Sequence, residues 1–372
     1  IAIITVHALP TISGTLSVCK GLTRTLTGSG ESGTWVSGDT DILTILSSGV
    51  VTGVSDGTTT VTYTDGNNCS VSVNFTVNIL PTVNAGADQS TCLGESVSLS
   101  ATVGTGTSFS WNNSVSNNVA FSPSSTNTYT VVGVDGNGCI ATDEVQVTVL
   151  PLPTISGGST VCVGTSITLT GSGSPSTSTP WESSVPGVAT VSSNGVVNGV
   201  SSGTTSIKYT DVNGCEQTHD VTVNGLPAVN AGTDFSTCEG SQISLSGGGA
   251  NSYSWDNGVT NGSLFTATST TTYTVTGTNS NNCVNTDQIT VTVNPVPTIS
   301  GSSSVCEGED ISLSVDLSSG TWDSDDDGVA TVSASGVVTG VGNGTTNVTY
   351  VVNGCTGTYS VTVHSKPTIS GT

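Results

Sequence analysis

Ten cysteines are the residues this chain spaces most regularly. They form five successive pairs: Cys19 and Cys69, Cys92 and Cys139, Cys162 and Cys215, Cys238 and Cys283, Cys306 and Cys355. The members of a pair lie 45 to 53 residues apart. An even number at a repeating interval implies disulfides and an oxidising compartment. A zinc site would need short Cys-x-x-Cys steps, and the chain has none. No other constellation points to catalysis. His7, His219 and His364 are isolated from one another, and serine is so common that no single Ser stands out as a nucleophile. No catalytic residue and no cofactor are therefore expected. Asp323, Asp325 and Asp327 open a run like the start of a calcium loop, but the twelfth position, where a bidentate Glu belongs, is Ala334. They remain a weak candidate cation site beside the plainer reading, a solvated loop. Asn-x-Ser/Thr sequons at Asn68, Asn74, Asn112, Asn261, Asn343 and Asn347 are of the kind that an Asn-, Ser- and Thr-rich chain supplies by chance.

The cysteines sit in a fivefold repeat. One Trp lies inside each pair, at Trp35, Trp111, Trp181, Trp255 and Trp322, 16 to 19 residues after the first Cys. Pro10, Pro81, Pro153, Pro227, Pro297 and Pro367 recur at intervals of 70 to 74 residues. A fixed period of this length means an array of small domains. The expected boundaries are 10–80, 81–150, 151–225, 226–294 and 295–364. Residues 1–9 read as the last strand of a preceding unit and 365–372 as the first strand of a following one, because the two ends share the Pro-Thr-Ile-Ser-Gly-Thr register. The chain thus reads as a window on a longer array. A domain of about 70 residues buries a limited core, and a disulfide is a common remedy.

Composition narrows the elements and the partners. Charged residues are only 8% and Gly numbers 47, which raises the question of disorder. Regular alternation, as in 96–100 and 145–149, instead predicts half-buried strands, and no stretch has helical periodicity. The fold class is all-β. Net charge is −22 with Lys20, Arg24, Lys208 and Lys366 as the only cations, too few for nucleic acid or an anionic membrane surface. No run of 18 apolar residues exists, so no membrane insertion is expected.

Repeats one, three and five share a block, Gly-Val-Ala-Thr-Val-Ser-Ser-Asn-Gly-Val-Val-Asn-Gly-Val at 187–200 and a close copy at 328–341, with a degraded copy at 41–54. It reads as a hairpin followed by a Gly-Thr-Thr turn. The block resembles bacterial immunoglobulin-like domains of group 2, found in intimin- and invasin-type adhesins. That resemblance implies seven-stranded β-sandwiches and an extracellular spacer role. Repeats two and four open with Asn-Ala-Gly (84–86, 230–232) and carry Ser-Trp-Asn-Asn or Ser-Trp-Asp-Asn, then Thr-Tyr-Thr-Val. They resemble the polycystic-kidney-disease-type repeat, without its usual acidic signature after the Trp. Mixed arrays with paired cysteines resemble large secreted surface adhesins of Bacteroidota.

With strands lettered A to G along a repeat, each first Cys falls at the A–B corner and each second Cys at the F–G corner. Strand B, taken as 96–102, would span about 20 Å, too far for a bond between Cα atoms about 4.4–6.8 Å apart. In an end-to-end array the neighbour's corner is closer, which suggests Cys19–Cys139, Cys92–Cys215, Cys162–Cys283 and Cys238–Cys355, with Cys69 and Cys306 bonded to outside units. One bridge within each repeat, Cys19–Cys69, Cys92–Cys139, Cys162–Cys215, Cys238–Cys283 and Cys306–Cys355, explains the count equally well. Each Trp is expected as a core anchor of strand C, and Tyr63, Tyr129, Tyr209, Tyr273 and Tyr350 as strand-F residues with hydroxyls tied to backbone. The expected architecture is an extended rod of five sandwiches. Its expected role is a stalk or filament segment, with neighbouring copies or further repeats as partners. The alternative is an array binding a surface glycan or protein receptor through loops at domain junctions.

Overall fold

The computed structural model describes residues 3–30, 32–104 and 106–369. Every element in it is a strand. The chain divides into two compact units. One takes Ile1–Ile155, Gly171–Pro180 and Lys208–Thr218, and the other takes Ser156–Thr170, Trp181–Ile207 and His219–Thr372. The first holds repeats one and two with the tip of repeat three; the second holds the remainder.

Repeat five, in the second unit, consists of two four-stranded sheets. One sheet runs in the order Ile299–Gly301, Asp310–Val315, Val337–Gly340, Ala330–Val332. The facing sheet runs Ser304–Cys306, Cys355–His364, Gly344–Val352, Thr321–Ser324. The short strand ending at Cys306 lies parallel to the last strand, Cys306 opposite His364; the other pairings in both sheets are antiparallel. The sequence alternates accordingly. In Gly344–Val352, Thr346, Val348, Tyr350 and Val352 point inward, onto a core that also holds Leu313, Val338, Val361 and Val363. The outward positions carry Thr345, Asn347, Thr349 and Val351. Thr345 meets Thr362 across the strands at 3.1 Å, as Thr58 meets Thr76 and Thr272 meets Thr290 in other repeats. Such hydroxyl pairs let an exposed face keep strand propensity with almost no charge.

In the first unit, repeat one repeats this plan with Ser17–Cys19, Ser70–Asn78, Gly57–Thr64 and Thr34–Ser37 in one sheet. Its degraded block still forms the hairpin Leu43–Ile45 with Val50–Gly53. The glycine of that hairpin, equivalent to Gly195 and Gly336, explains part of the shared motif. Gly195 has φ 78°, its carbonyl accepts from Leu169 N–H, and a Cβ there would meet the Leu169 carbonyl oxygen and the Trp181 ring. Only glycine satisfies both the left-handed backbone and the close approach. The Gly-Thr-Thr segment expected as a turn instead opens the following strand, at Gly203 and Gly344.

Repeat two differs from expectation at its second strand. The segment 96–102 is not one strand. Val97–Ser98 pairs with Ala120–Phe121, and Thr102–Val103 pairs with Val83–Asn84. The segment is shared between two partners, so it cannot serve as a ruler for the domain. The expected flanking strands, 1–9 and 365–372, lie partly outside the described residues. Within 3–9 and 365–369 no strand forms, because a strand needs a hydrogen-bonded neighbour and none lies beside them among the described residues.

Candidate functional site

The two cysteine corners of a repeat are built by two different turns. After each first Cys the chain makes a turn in which the N–H three residues on donates to the Cys carbonyl. Leu22 donates to Cys19, Glu95 to Cys92, Thr165 to Cys162, Ser241 to Cys238 and Glu309 to Cys306, at 3.0–3.1 Å. The residue at the third place is always glycine, with φ of 76–90° (Gly21, Gly94, Gly164, Gly240, Gly308). This is a type II turn, which demands a positive φ at that place. The turn ends the short strand that runs parallel to the last strand, so the first Cys sits beside the far end of that strand.

The second Cys is held by an acceptor four residues earlier, which the sequence reading passed over. Asp65 Oδ1 accepts from the N–H groups of Asn67 and Cys69, both at 2.9 Å. Asp135 does the same for Asn137 and Cys139, Asp211 for Asn213 and Cys215, and the Asn279 amide oxygen for Asn281 and Cys283. The signal was present as Asp/Asn-x-Asn-Gly/Asn-Cys, recurring in four repeats. Such a side chain imitates a backbone turn. Repeat five dispenses with it: Val352 pairs directly with Cys355, and Asn353 and Gly354 turn at φ 50° and 78°, the Asn-Gly signature of a tight hairpin. Burial, and next the nearby Asp211 carboxylate, push the Tyr209 phenol above its ordinary pKa.

The register measures the distance between the corners. Cys92 lies opposite Leu150, the last residue of the strand that begins at Ile140, directly after Cys139. Eleven strand residues span about 35 Å. The same relation holds between Cys19 opposite Asn78 and Cys69 beside Ser70, and between Cys306 opposite His364 and Cys355. A bridge within a repeat is geometrically closed off, so the set Cys19–Cys69, Cys92–Cys139, Cys162–Cys215, Cys238–Cys283 and Cys306–Cys355 does not form. The structure joins consecutive repeats instead: Cys19–Cys139 and Cys92–Cys215 in the first unit, Cys162–Cys283 and Cys238–Cys355 in the second, each with Cα atoms 5.6 Å apart. Cys69 and Cys306 are free thiols. Polar contacts accompany the bridges. In the second unit the Asn279 and Asn285 amides donate to the carbonyls of Gly225 and Pro227 at 3.0 Å, and the Asn294 amide donates to Asn353 O.

The tryptophans divide by repeat type. Trp111 and Trp255 are buried and donate through Nε1 to Asn117 and Asn261. Trp35, Trp181 and Trp322 are half-buried; Trp35 and Trp322 tilt against Tyr63 and Tyr350 at ring-centroid distances of 4.6 and 4.9 Å. All five tyrosines lie in the strand expected of them. Tyr350 Oη accepts from Gly320 N–H and Tyr209 Oη donates to Gly173 O, whereas Tyr129 and Tyr273 pack edge-on against Phe121 and Phe265. Asp323, Asp325 and Asp327 are not gathered as a cation site. Asp325 accepts from the Asn347 amide, the intervening Asp326 caps Gly328, and among the described residues no group of three ligating side chains converges.

The model of the bacterial Ig-like domain (group 2) matches residues 146–223 and 285–363, which cover the third and fifth repeats. The third and fifth repeats are similar to immunoglobulin-like domains, and the fold of the array is all-β and immunoglobulin-like. No curated protein matches the sequence significantly. Among solved structures, the N-terminal eight Ig domains of Down Syndrome Cell Adhesion Molecule are 12% identical, with 96% of this chain and 69% of that chain covered and a TM-score of 0.28. A mutant intimin from EHEC O157:H7 is 21% identical over 21% of this chain and 51% of that chain, TM-score 0.19. The insect immune protein hemolin is 12% identical over 77% of this chain and 100% of that chain, TM-score 0.23. Likenesses of this size say nothing of ligands or partners. Ig-like adhesion-domain families are generally non-enzymatic, and among the described residues no helix is long and apolar enough to cross a membrane.

Proposed function

We propose that this chain is a structural stalk or filament segment of an extracellular surface adhesin or fibre, its joints stiffened by disulfides, and that it is not an enzyme. The observation that carries the reading is the set of four bridges, each joining one repeat to the next. A covalent tie between small domains resists separation under load, which a spacer needs and a diffusing binding module does not. The repeats 10–80, 81–150, 151–225, 226–294 and 295–364 are the proposed domains. The even ones are proposed as PKD-like and the whole as part of a Bacteroidota-type adhesin, on the motifs quoted above. The partners of Cys69 and Cys306 are proposed to be cysteines of further repeats or of neighbouring copies. Electron microscopy of the native material with antibody against this chain tests the reading. Label along cell-surface stalks or fibres is the expected result, and label confined to the cell interior contradicts it.

A further inference from the structure

Repeat one breaks the pattern of the array at one position. Five residues after each first Cys, the other repeats carry Val97, Ile167, Ile243 and Ile311, all half-buried; Val97, Ile243 and Ile311 pack on their cores. Repeat one carries Arg24 there, exposed. The register is the same: Arg24 lies opposite Val51 as Ile167 lies opposite Val197 and Ile311 opposite Val338. The substitution is thus a change of side chain on a fixed frame.

The arginine does not stand on a plain surface. It lines a cleft of about 390 Å³ together with Ser17, Leu22, Thr23, Asn78 and, from the hairpin of repeat two, Asn137. That volume is in the range of small-ligand sites. The Cys19–Cys139 bridge fixes the two walls to each other. No carboxylate pairs with Arg24 among the described residues; that of Asp135, the acidic group of the adjoining hairpin, is engaged through Oδ1 by Asn137 and Cys139 N–H groups. Lys20 is exposed on the same corner, so two of the four cations of the chain fall within five residues of one another.

We propose that this cleft binds a carboxylate-bearing saccharide, with Arg24 gripping the carboxylate. The guanidinium fork matches a carboxylate bidentately. The hydroxyls of Ser17 and Thr23 and the amides of Asn78 and Asn137 suit sugar hydroxyls, and the exposed Leu22 offers an apolar face to ring carbons. The net charge of −22 does not forbid it, because charges beyond about 8 Å are largely screened at physiological ionic strength. Polyanions, whose charges extend past the cleft, are disfavoured. This site goes beyond the stalk reading and stands or falls separately from it.

The test is titration of the full chain with sialyllactose, galacturonate and, as the uncharged counterpart, lactose, followed by calorimetry. Binding of at least one acidic sugar, weakened by salt, with none of lactose, is the expected result. Arg24→Ile installs the residue that repeats three, four and five already carry, so the fold is retained, as unchanged thermal unfolding will verify. A lost charge-assisted pair is worth about 1.5–3 kcal/mol, so Arg24→Ile weakens binding by about tenfold or more. Equal affinity in Arg24→Ile, binding of lactose as tight as of the acids, or no binding of either acid overturns the proposal.

Discussion

Pulled to full extension, the oxidised chain reaches only about a quarter of the length of the reduced chain. The four bridges overlap along the sequence, so the taut path takes shortcuts. It runs from the first residue to Cys19, crosses to Cys139, continues to Cys162, crosses to Cys283, returns to Cys238, crosses to Cys355 and leaves by the last residue. That path contains about 100 residues, or roughly 350 Å at about 3.5 Å per residue, against roughly 1,300 Å for all 372. Single-molecule force spectroscopy before and after treatment with a thiol reductant measures both. Equal contour lengths in the two states contradict the pairing and remove the mechanical basis of the stalk reading.

Removing one bridge lowers the stability of the repeats it joins. Cys92 and Cys215 close a loop with a sequence separation of 123, and no other bridge shortens that loop. Confinement of the unfolded chain by a loop of this length is worth about 3–5 kcal/mol. The double variant Cys92→Ser with Cys215→Ser leaves no additional free thiol, so the loss is read without side reactions. Native-state hydrogen exchange resolves it by repeat: amides of the strand Asn127–Val134 in repeat two and Gly203–Thr210 in repeat three exchange faster, while those of repeat five keep their protection. Unchanged protection in repeats two and three contradicts the prediction.

Much of the fold was legible because its signals are local and recur five times. Alternation in 145–149 marks the last strand of repeat two, and the Ser/Asn-Gly block marks a hairpin even where it is degraded at 41–54. The corners were legible too, since the cysteines flank recognisable turns. Other features were not, because they depend on what meets across space. The segment 96–102 alternates like a single strand, yet its ends pair with different neighbours. Spacing gave all five tryptophans one role, while burial separates Trp111 and Trp255 from Trp35, Trp181 and Trp322, although all five lie on edge strands. Asp65, Asp135, Asp211 and Asn279 looked like ordinary turn residues; their hydrogen bonds to the Cys N–H appear only in three dimensions. Asp323, Asp325 and Asp327 read as a weak cation candidate beside a plain solvated loop; Asp325 takes the Asn347 amide, and among the described residues no three ligating side chains converge. Arg24 was counted as one of four cations, and its significance rests on the aliphatic residues at the same register in other repeats.

The central claim is that cysteines tie each repeat to the next one and never bridge within a repeat. Digestion of the unreduced chain at acidic residues, followed by mass spectrometry, tests it directly. The expected result is a linked peptide joining Cys92 to Cys215, with counterparts joining Cys19 to Cys139, Cys162 to Cys283 and Cys238 to Cys355. A peptide joining Cys92 to Cys139 contradicts it, because that bond would have to close a gap of about 35 Å along the strand Ile140–Leu150.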